Sequence, residues 1–254
     1  MRLNESVAVI TNKLVFLPYE ASHVETYSEW MGSEAIREAT ASERLSLAEE
    51  YAMQKSWRED ADKLTFILSL PSDGIKAAAS HDGPLKNYIV VEGVDDKPEI
   101  LIGDVNLFLY EDDEEEEVEG QERGPVEMVG EVELMIARPE FQGRGLGKLA
   151  VIIFILYVLQ HQGDILSQDS SRNLKGKSFK HLRVKIGKEN TRSLELFQKL
   201  GFVKLTEEPN VFGEFELRLK IEPLEGVQEN LEVMMRDSGV EWMEEVGFQR
   251  PLKV

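Results

Sequence analysis

A glycine-rich turn, Gln142-Gly-Arg-Gly-Leu-Gly147, joins an alternating polar and apolar run, Gly130 to Ala137, to an unbroken apolar run, Leu149 to Leu159. Alternation at period two specifies a strand with one buried face. The eleven apolar residues that follow are too few to cross a bilayer, which takes roughly 20, so they form a buried element. Their Val and Ile content leaves a strand open, but the turn ahead of them and the length of the run favour a helix. The first N–H groups of such a helix lack intrahelical partners and sit at the positive end of its dipole. They form a receptor for anionic oxygens, a pyrophosphate in particular. The other reading is a tight strand-to-helix connection that holds no ligand.

Within the turn, Gly145 and Gly147 remove Cβ atoms where a ligand would meet backbone. Gln142 offers a side-chain donor, Arg144 and Lys148 offer charge, and Gly143 and Leu146 complete the binding stretch. A dinucleotide fingerprint needs G-x-G-x-x-G, but counting from Gly143 the third glycine position is Lys148. A Walker loop needs Gly and Ser or Thr where this chain has Gln142 and Leu149. Neither fits.

The pattern that fits is Q-x-x-G-x-G, preceded by Ala137-Arg-Pro-Glu-Phe-Gln142, which resembles the acetyl-CoA-binding motif of the GNAT N-acetyltransferases. A second stretch, Lys185-Ile-Gly-Lys-Glu-Asn190-Thr-Arg-Ser193-Leu-Glu-Leu-Phe197-Gln-Lys-Leu-Gly201-Phe202, is similar to a later strand and helix of the same family. Its Asn-x-x-Ser and Lys-Leu-Gly-Phe elements resemble the branch that acetylates ribosomal-protein N-termini. Its local chemistry is coherent: Asn190 or Thr191 can cap a helix with Leu194, Phe197 and Leu200 facing inward, and Gly201-Phe202 suits a left-handed C-terminal cap. The resemblance extends to the N-acetyltransferase-9-like proteins through Ile102-Gly-Asp-Val-Asn-Leu-Phe108, Gly130 to Ala137 and Leu14-Val-Phe-Leu-Pro-Tyr19, followed by His23-Val and Glu29-Trp-Met31. It covers roughly residues 1–220.

The resemblance implies an α/β (α+β) GNAT fold, a mixed central sheet with helices on both faces. It also implies direct transfer of acetyl from acetyl-CoA, as cosubstrate, to a protein or peptide amine. Backbone groups of Met135, Ile136 and Ala137 would then meet the pantetheine arm. Glu131, eleven residues before Gln142, stands where some histone acetyltransferases of the family carry their base, and Glu133 shares its strand face. An exposed strand carboxylate is the ordinary alternative. Many members use a tyrosine in the later helix as the acid. The matching residue here is Phe197, and Ser193 is the nearest replacement, though serines there often only cap. Asn190 either binds CoA or caps. The branch has been connected with microtubules, which makes tubulin an acceptor to consider. A second reading is an acyl-CoA-binding regulator or scaffold on a basic protein surface.

Cysteine is absent, so no disulfide, thiolate zinc site or Cys-linked ping-pong transfer is available. His23, His81, His161 and His181 are scattered without ligand spacing, so no metal is expected. With 29 basic against 48 acidic residues, the net charge of −19 argues against nucleic acid and for basic protein or peptide partners. The amino-terminal residues contain no signal-like apolar core and no membrane-spanning run occurs. The expectation is therefore a protein without membrane association, in the cytoplasm with the nucleus also open to it. The sequence sets no oligomeric state.

The organisation expected is one acetyltransferase domain over residues 1–221, with an acidic loop at 111–122, a polar flexible insertion at 162–180, and a helical amphipathic extension at 222–254. The acidic run repels itself and reads as a solvated connector. Strands are expected at Val7 to Ile10, Leu14 to Leu17, Leu64 to Leu70, Tyr88 to Val91, Ile100 to Leu109, Gly130 to Ala137, Phe202 to Leu205 and Phe215 to Ile221. Helices are expected at His23 to Met31 and Leu47 to Trp57, with a loop over 71–87.

Overall fold

The structure, a computed structural model, describes residues 1–82, 85, 87–112, 126–170, 172 and 174–251, with only the backbone for 81, 82, 175 and 177. The chain opens with β1 (Val7–Thr11) and β2 (Val15–Pro18), then α1 (Val24–Met31), α2 (Glu34–Ala39) and α3 (Leu47–Glu59). Next come β3 (Lys63–Ser69), α4 (Asp73–Asp82), β4 (Ile89–Val91), β5 (Leu101–Glu111) and β6 (Val126–Ile136). After these are α5 (Leu146–Gln160), α6 (Gln162–Leu166), β7 (Leu174–Gly187) and α7 (Thr191–Lys199). The chain closes with β8 (Val203–Lys204), β9 (Glu214–Lys220), α8 (Leu224–Asp237) and β10 (Met243–Gln249).

Among the described residues the strands form one sheet in the order β4-β10-β1-β2-β3-β5-β6-β7-β9-β8. Two pairs are parallel, β10 with β4 and β6 with β7. The sheet is therefore mixed, and helices cover both faces. On one face α5 and α7 pack against Val105, Leu107, Val132 and Val184, and α8 lies on α5. On the other, Val24 and Tyr27 of α1 and Ile75 of α4 pack against Leu17, Ile67 and Met135.

The apolar run becomes α5, with every side chain from Leu149 to Leu159 buried. A helix that is apolar all round needs cover on both sides. The sheet supplies one side, and α8 supplies the other through Leu231 and Met235. The expectation for residues 222–254 is corrected on this point. Only 224–237 is helical, while 243–249 becomes β10, which pairs with β1 on one side and β4 on the other. Only Val246 and Phe248 alternate, with Gly247 between them, and Glu244-Glu245 separates them from Met243, which hides the strand period.

Two further expectations change. Residues 73–82 form α4 instead of a loop. The segment read as a flexible insertion at 162–180 holds α6 and the first half of β7, anchored by buried Ile165, Leu166 and Phe179, with the Phe179 N–H donating to Gln162 Oε1 at 3.3 Å. Sequence periodicity had also missed α2. Of the acidic loop, Glu111 ends β5 and the Asp112 N–H donates to the Glu127 carbonyl, while residues 113–125 lie outside the described residues.

Candidate active site

β6 and β7 run parallel only as far as the pair Glu131↔Arg183. Beyond it β6 stays bonded to β5 as far as Gly103↔Ile136, and β7 stays bonded to β9, so the two strands part and leave a cleft. The Ala137 N–H donates to the Ile102 carbonyl at 2.8 Å, on the β5 side. Backbone groups alternate sides along a strand, so Val132, Leu134 and Ile136 turn theirs into the cleft. Of the three residues expected to meet a pantetheine arm, Ile136 faces it, whereas Met135 and Ala137 direct their main chain to β5. Leu134 is the neighbour that residue-by-residue reasoning missed.

The glycine turn closes the wide end of this cleft. Gly143 and Gly145 adopt φ of 72° and 80°, the left-handed region, and Gly145 is the N-cap of α5. The first intrahelical bond runs from the Leu149 N–H to the Gly145 carbonyl, and no side chain caps the helix. The N–H groups of Leu146, Gly147 and Lys148 therefore have no intrahelical partner. A Cβ on Gly145 would meet nothing within 4 Å, so backbone conformation, not crowding, selects glycine there. A Cβ on Gly147 would lie 3.4 Å from Leu134, 3.6 Å from Ile136 and 3.7 Å from Leu196, so this glycine seats the first turn of α5 against the cleft.

Arg138 and Arg144 lie over the Phe141 ring at 5.0 and 5.6 Å, and Arg192 of α7 reaches to 3.3 Å from where a Gly143 Cβ would be. With Lys148, they give the helix start a cationic rim. Arg138 is also tied to Glu140 Oε1, at 2.9 and 2.6 Å. The Gln142 amide donates to the Ile136 carbonyl at 2.8 Å and so braces the turn. The Asn190 side chain accepts the Ser193 N–H at 3.2 Å and so caps α7. Ser193 stands in the first turn of that helix. Phe197 packs in the core against Phe202, ring centroids 5.1 Å apart, and has no proton to give.

The carboxylates stand where the strands part. Glu131 is buried, not an exposed strand carboxylate, and its Oε2 accepts from Arg183 Nε at 2.7 Å and Lys185 Nζ at 3.2 Å. Glu131 is thereby held in a cluster of ion pairs with Arg183 and Lys185. Glu133, two residues on, is exposed and lies just past the last β6–β7 pair. The protein around its carboxyl strips water from it, Glu131 and Asp104 repel its charge against the pull of Lys185, and its pKa is pushed up to about 7. Asp104, on β5, is 2% exposed and accepts from Asn106 Nδ2 at 2.8 Å and the Tyr27 hydroxyl at 3.5 Å. Burial dominates those bonds and pushes Asp104 up to about 6. Sequence reasoning missed Asp104 and Asn106, although two polar residues at period two in an otherwise apolar strand were a usable signal.

A strand pair opened at one end and an uncapped helix start behind left-handed glycines form the candidate site, with Glu133 beside the opening. The profile for the acetyltransferase (GNAT) domain matches residues 13–203. The N-acetyltransferase 9-like protein of Caenorhabditis briggsae is 39% identical, over 89% of this chain and 91% of its own length. The alpha/beta-tubulin-N-acetyltransferase 9 of Drosophila melanogaster is 36% identical over 88% and 91%, and that of Homo sapiens is 35% identical over 87% and 86%. The fold is also that of the GNAT-family acetyltransferase of Bacillus anthracis, with a TM-score of 0.52 at 11% identity over 85% of this chain and 99% of that one. The chain belongs to the GNAT acetyltransferase family and is an N-acetyltransferase similar to the N-acetyltransferase 9-like proteins.

Proposed function

We propose that the protein transfers acetyl from acetyl-CoA to the amino-terminal amine of a protein, with Glu133 as general base. The observation that carries this reading is the Glu133 carboxyl, just past the parting of β6 and β7 and pushed up to about 7. A base with that affinity operates at neutral pH. A protein α-amine titrates near ~8 and a lysine near ~10.4, so the α-amine is the better matched acceptor. When bound, acetyl-CoA supplies the thioester carbonyl that the amine attacks.

The chain's own residues divide the remaining work. The N–H groups of Leu146, Gly147 and Lys148, with Arg144 and Arg192, suit a pyrophosphate, and the cleft-facing main chain of Leu134 and Ile136 suits the amides of an extended arm. Glu131 holds Arg183 and Lys185 in place and keeps negative charge beside Glu133. Ser193, one of two hydroxyl residues on α7, is the one assigned to protonate a departing thiolate. The fly and human relatives carry tubulin in their names, which makes tubulin the acceptor to try first. The chain's strong acidity favours a basic segment near the acceptor terminus, and the cytoplasm is the compartment proposed.

The test is release of free CoA thiol over peptides with the amino-terminal sequences of α- and β-tubulin, each as the free and the pre-acetylated terminus, alongside internal-lysine peptides. Turnover confined to free termini is expected. Transfer to lysine with the terminus blocked would replace the acceptor assignment, and no turnover with any amine would remove the reading.

A further inference from the structure

One polar row crosses three strands on the sheet face beneath α1 and α3, beside Asp104 and the Glu131 ion pairs. Thr65 on β3 pairs with Asn106 on β5, which pairs with Glu133 on β6. Asn106 is 4% exposed, and its Nδ2 donates to Asp104 Oδ2 at 2.8 Å. An ionised carboxylate only accepts, so this bond fixes which end of the amide is which: nitrogen toward Asp104, oxygen away from it. The Asn106 Oδ1 is buried with no hydrogen-bond partner. Thr65 on one side does not supply a donor, since its own hydroxyl is buried without a bond. On the other side stands Glu133.

We infer that Asn106 is a positioning residue for Glu133: its Oδ1 accepts the O–H of the protonated carboxyl, and Asp104 holds the amide in the orientation that allows it. The inference rests on reading Glu133 as the base. In the transfer, the amine N–H bond breaks and the Glu133 O–H bond forms, and the new O–H is the donor that Asn106 Oδ1 lacks at rest. The proton then leaves through the solvent side of the cleft as Glu133 ionises again. A neutral hydrogen bond is weak enough for that return.

Other charged and titratable groups around Glu133 are Glu131 on the same strand, Asp104 and Tyr110 on β5, Lys185 and Arg183 on β7, and Tyr27 on α1. Of these, Glu131, Asp104 and Lys185 act by charge on the ionised form. Asn106 is distinguished by a bond that only the protonated form can make, and by a lone pair set against the ionised form, so both effects favour the proton.

The experiment follows the Glu133 carboxyl by carbon-13 NMR in glutamate-labelled protein, assigned by its loss in Glu133→Gln, across pH 5 to 9 without substrate, and compares it with the pH midpoint of kcat/KM. Asn106→Leu should lower the Glu133 midpoint by roughly one pH unit, the worth of one neutral hydrogen bond. The shift should persist when Asn106→Leu is made in an Asp104→Asn background, where the Asp104 charge is already gone. Asn106→Val, which suits a strand, takes its place if the leucine variant does not fold. An unmoved carboxyl midpoint, or a shift that vanishes in the Asp104→Asn background, overturns the inference. If the carboxyl shifts while the kcat/KM midpoint stays, the bond to Asn106 stands and Glu133 is not the base.

Discussion

Two carboxylates two residues apart on β6 have opposite surroundings, and that difference assigns their work. Glu131 is enclosed by Arg183 and Lys185, whereas Glu133 lies beside the opening with acids for neighbours. Glu133→Gln should therefore lower kcat/KM by roughly 10²-fold or more, the usual size of a general-base contribution, with CoA affinity by calorimetry unchanged. In the wild type the acid limb of kcat/KM should rise through about pH 7 as Glu133 loses its proton. Glu131→Gln should move that limb to lower pH, because the charge that repels the ionised Glu133 is gone. A limb that stays in place would show that Glu131 does not act on Glu133. At the turn, Gly145→Ala must hold a side chain at φ 80° and should cost roughly 1–2 kcal/mol of stability in addition to weakening CoA. Arg144→Ala should leave the thermal midpoint alone while weakening CoA about tenfold, near 1.5 kcal/mol for one charged contact. Equal CoA affinity in both variants and wild type would refute the placement of the pyrophosphate.

Elements with an unbroken pattern were legible in the sequence, and those whose partners lie far along the chain were not. Leu149 to Leu159 could be read as buried helix because nothing polar interrupts it, and Gly143 and Gly145 because a left-handed turn admits little else. The CoA end of the site follows from such local chemistry. Glu133 could be named as a candidate but ranked behind Glu131, because burial and ion pairing depend on Arg183 and Lys185, some fifty residues away. β10 was hidden for the same reason: its short alternation becomes a strand only when β1 and β4 flank it. α8 is the element whose importance the sequence understated most. Leu231, 2% exposed against α5, should cost roughly 2–5 kcal/mol on truncation to alanine. Val233 on the same helix is 47% exposed, and Val233→Ala should stay within about 0.5 kcal/mol. Chemical denaturation of the two variants measures the contrast. A mild effect at Leu231 would mean that α5 keeps its cover without α8.

Over the whole molecule, net charge and two acids with raised pKa push stability in the same direction with pH. The chain carries −19 at neutral pH, so it repels itself, and the repulsion fades as carboxylates protonate toward the pI of about 4.7. Asp104 and Glu133 add a local effect. Their folded pKa values, about 6 and about 7, lie above the ordinary carboxylate range. A carboxyl raised on folding binds more protons in the native than in the unfolded state within that window, so unfolding free energy falls as pH rises from about 4 to about 7. Both contributions predict higher stability near pH 5.5 than near pH 8. Salt separates them. Long-range repulsion is screened, with a Debye length of ~8 Å at 0.15 M falling to ~3 Å at 1 M, whereas the desolvation of a buried Asp104 is not. Urea unfolding at pH 5.5 and 8 in high salt should retain part of the pH difference in wild type, and the Asp104→Asn, Glu133→Gln double variant should lose that part. At low salt the double variant should still be less stable at the higher pH, because the global charge remains. If high salt abolishes the pH difference in wild type, the raised affinities of these two carboxyls have no thermodynamic weight, and the chemistry assigned to Glu133 loses its physical basis with them.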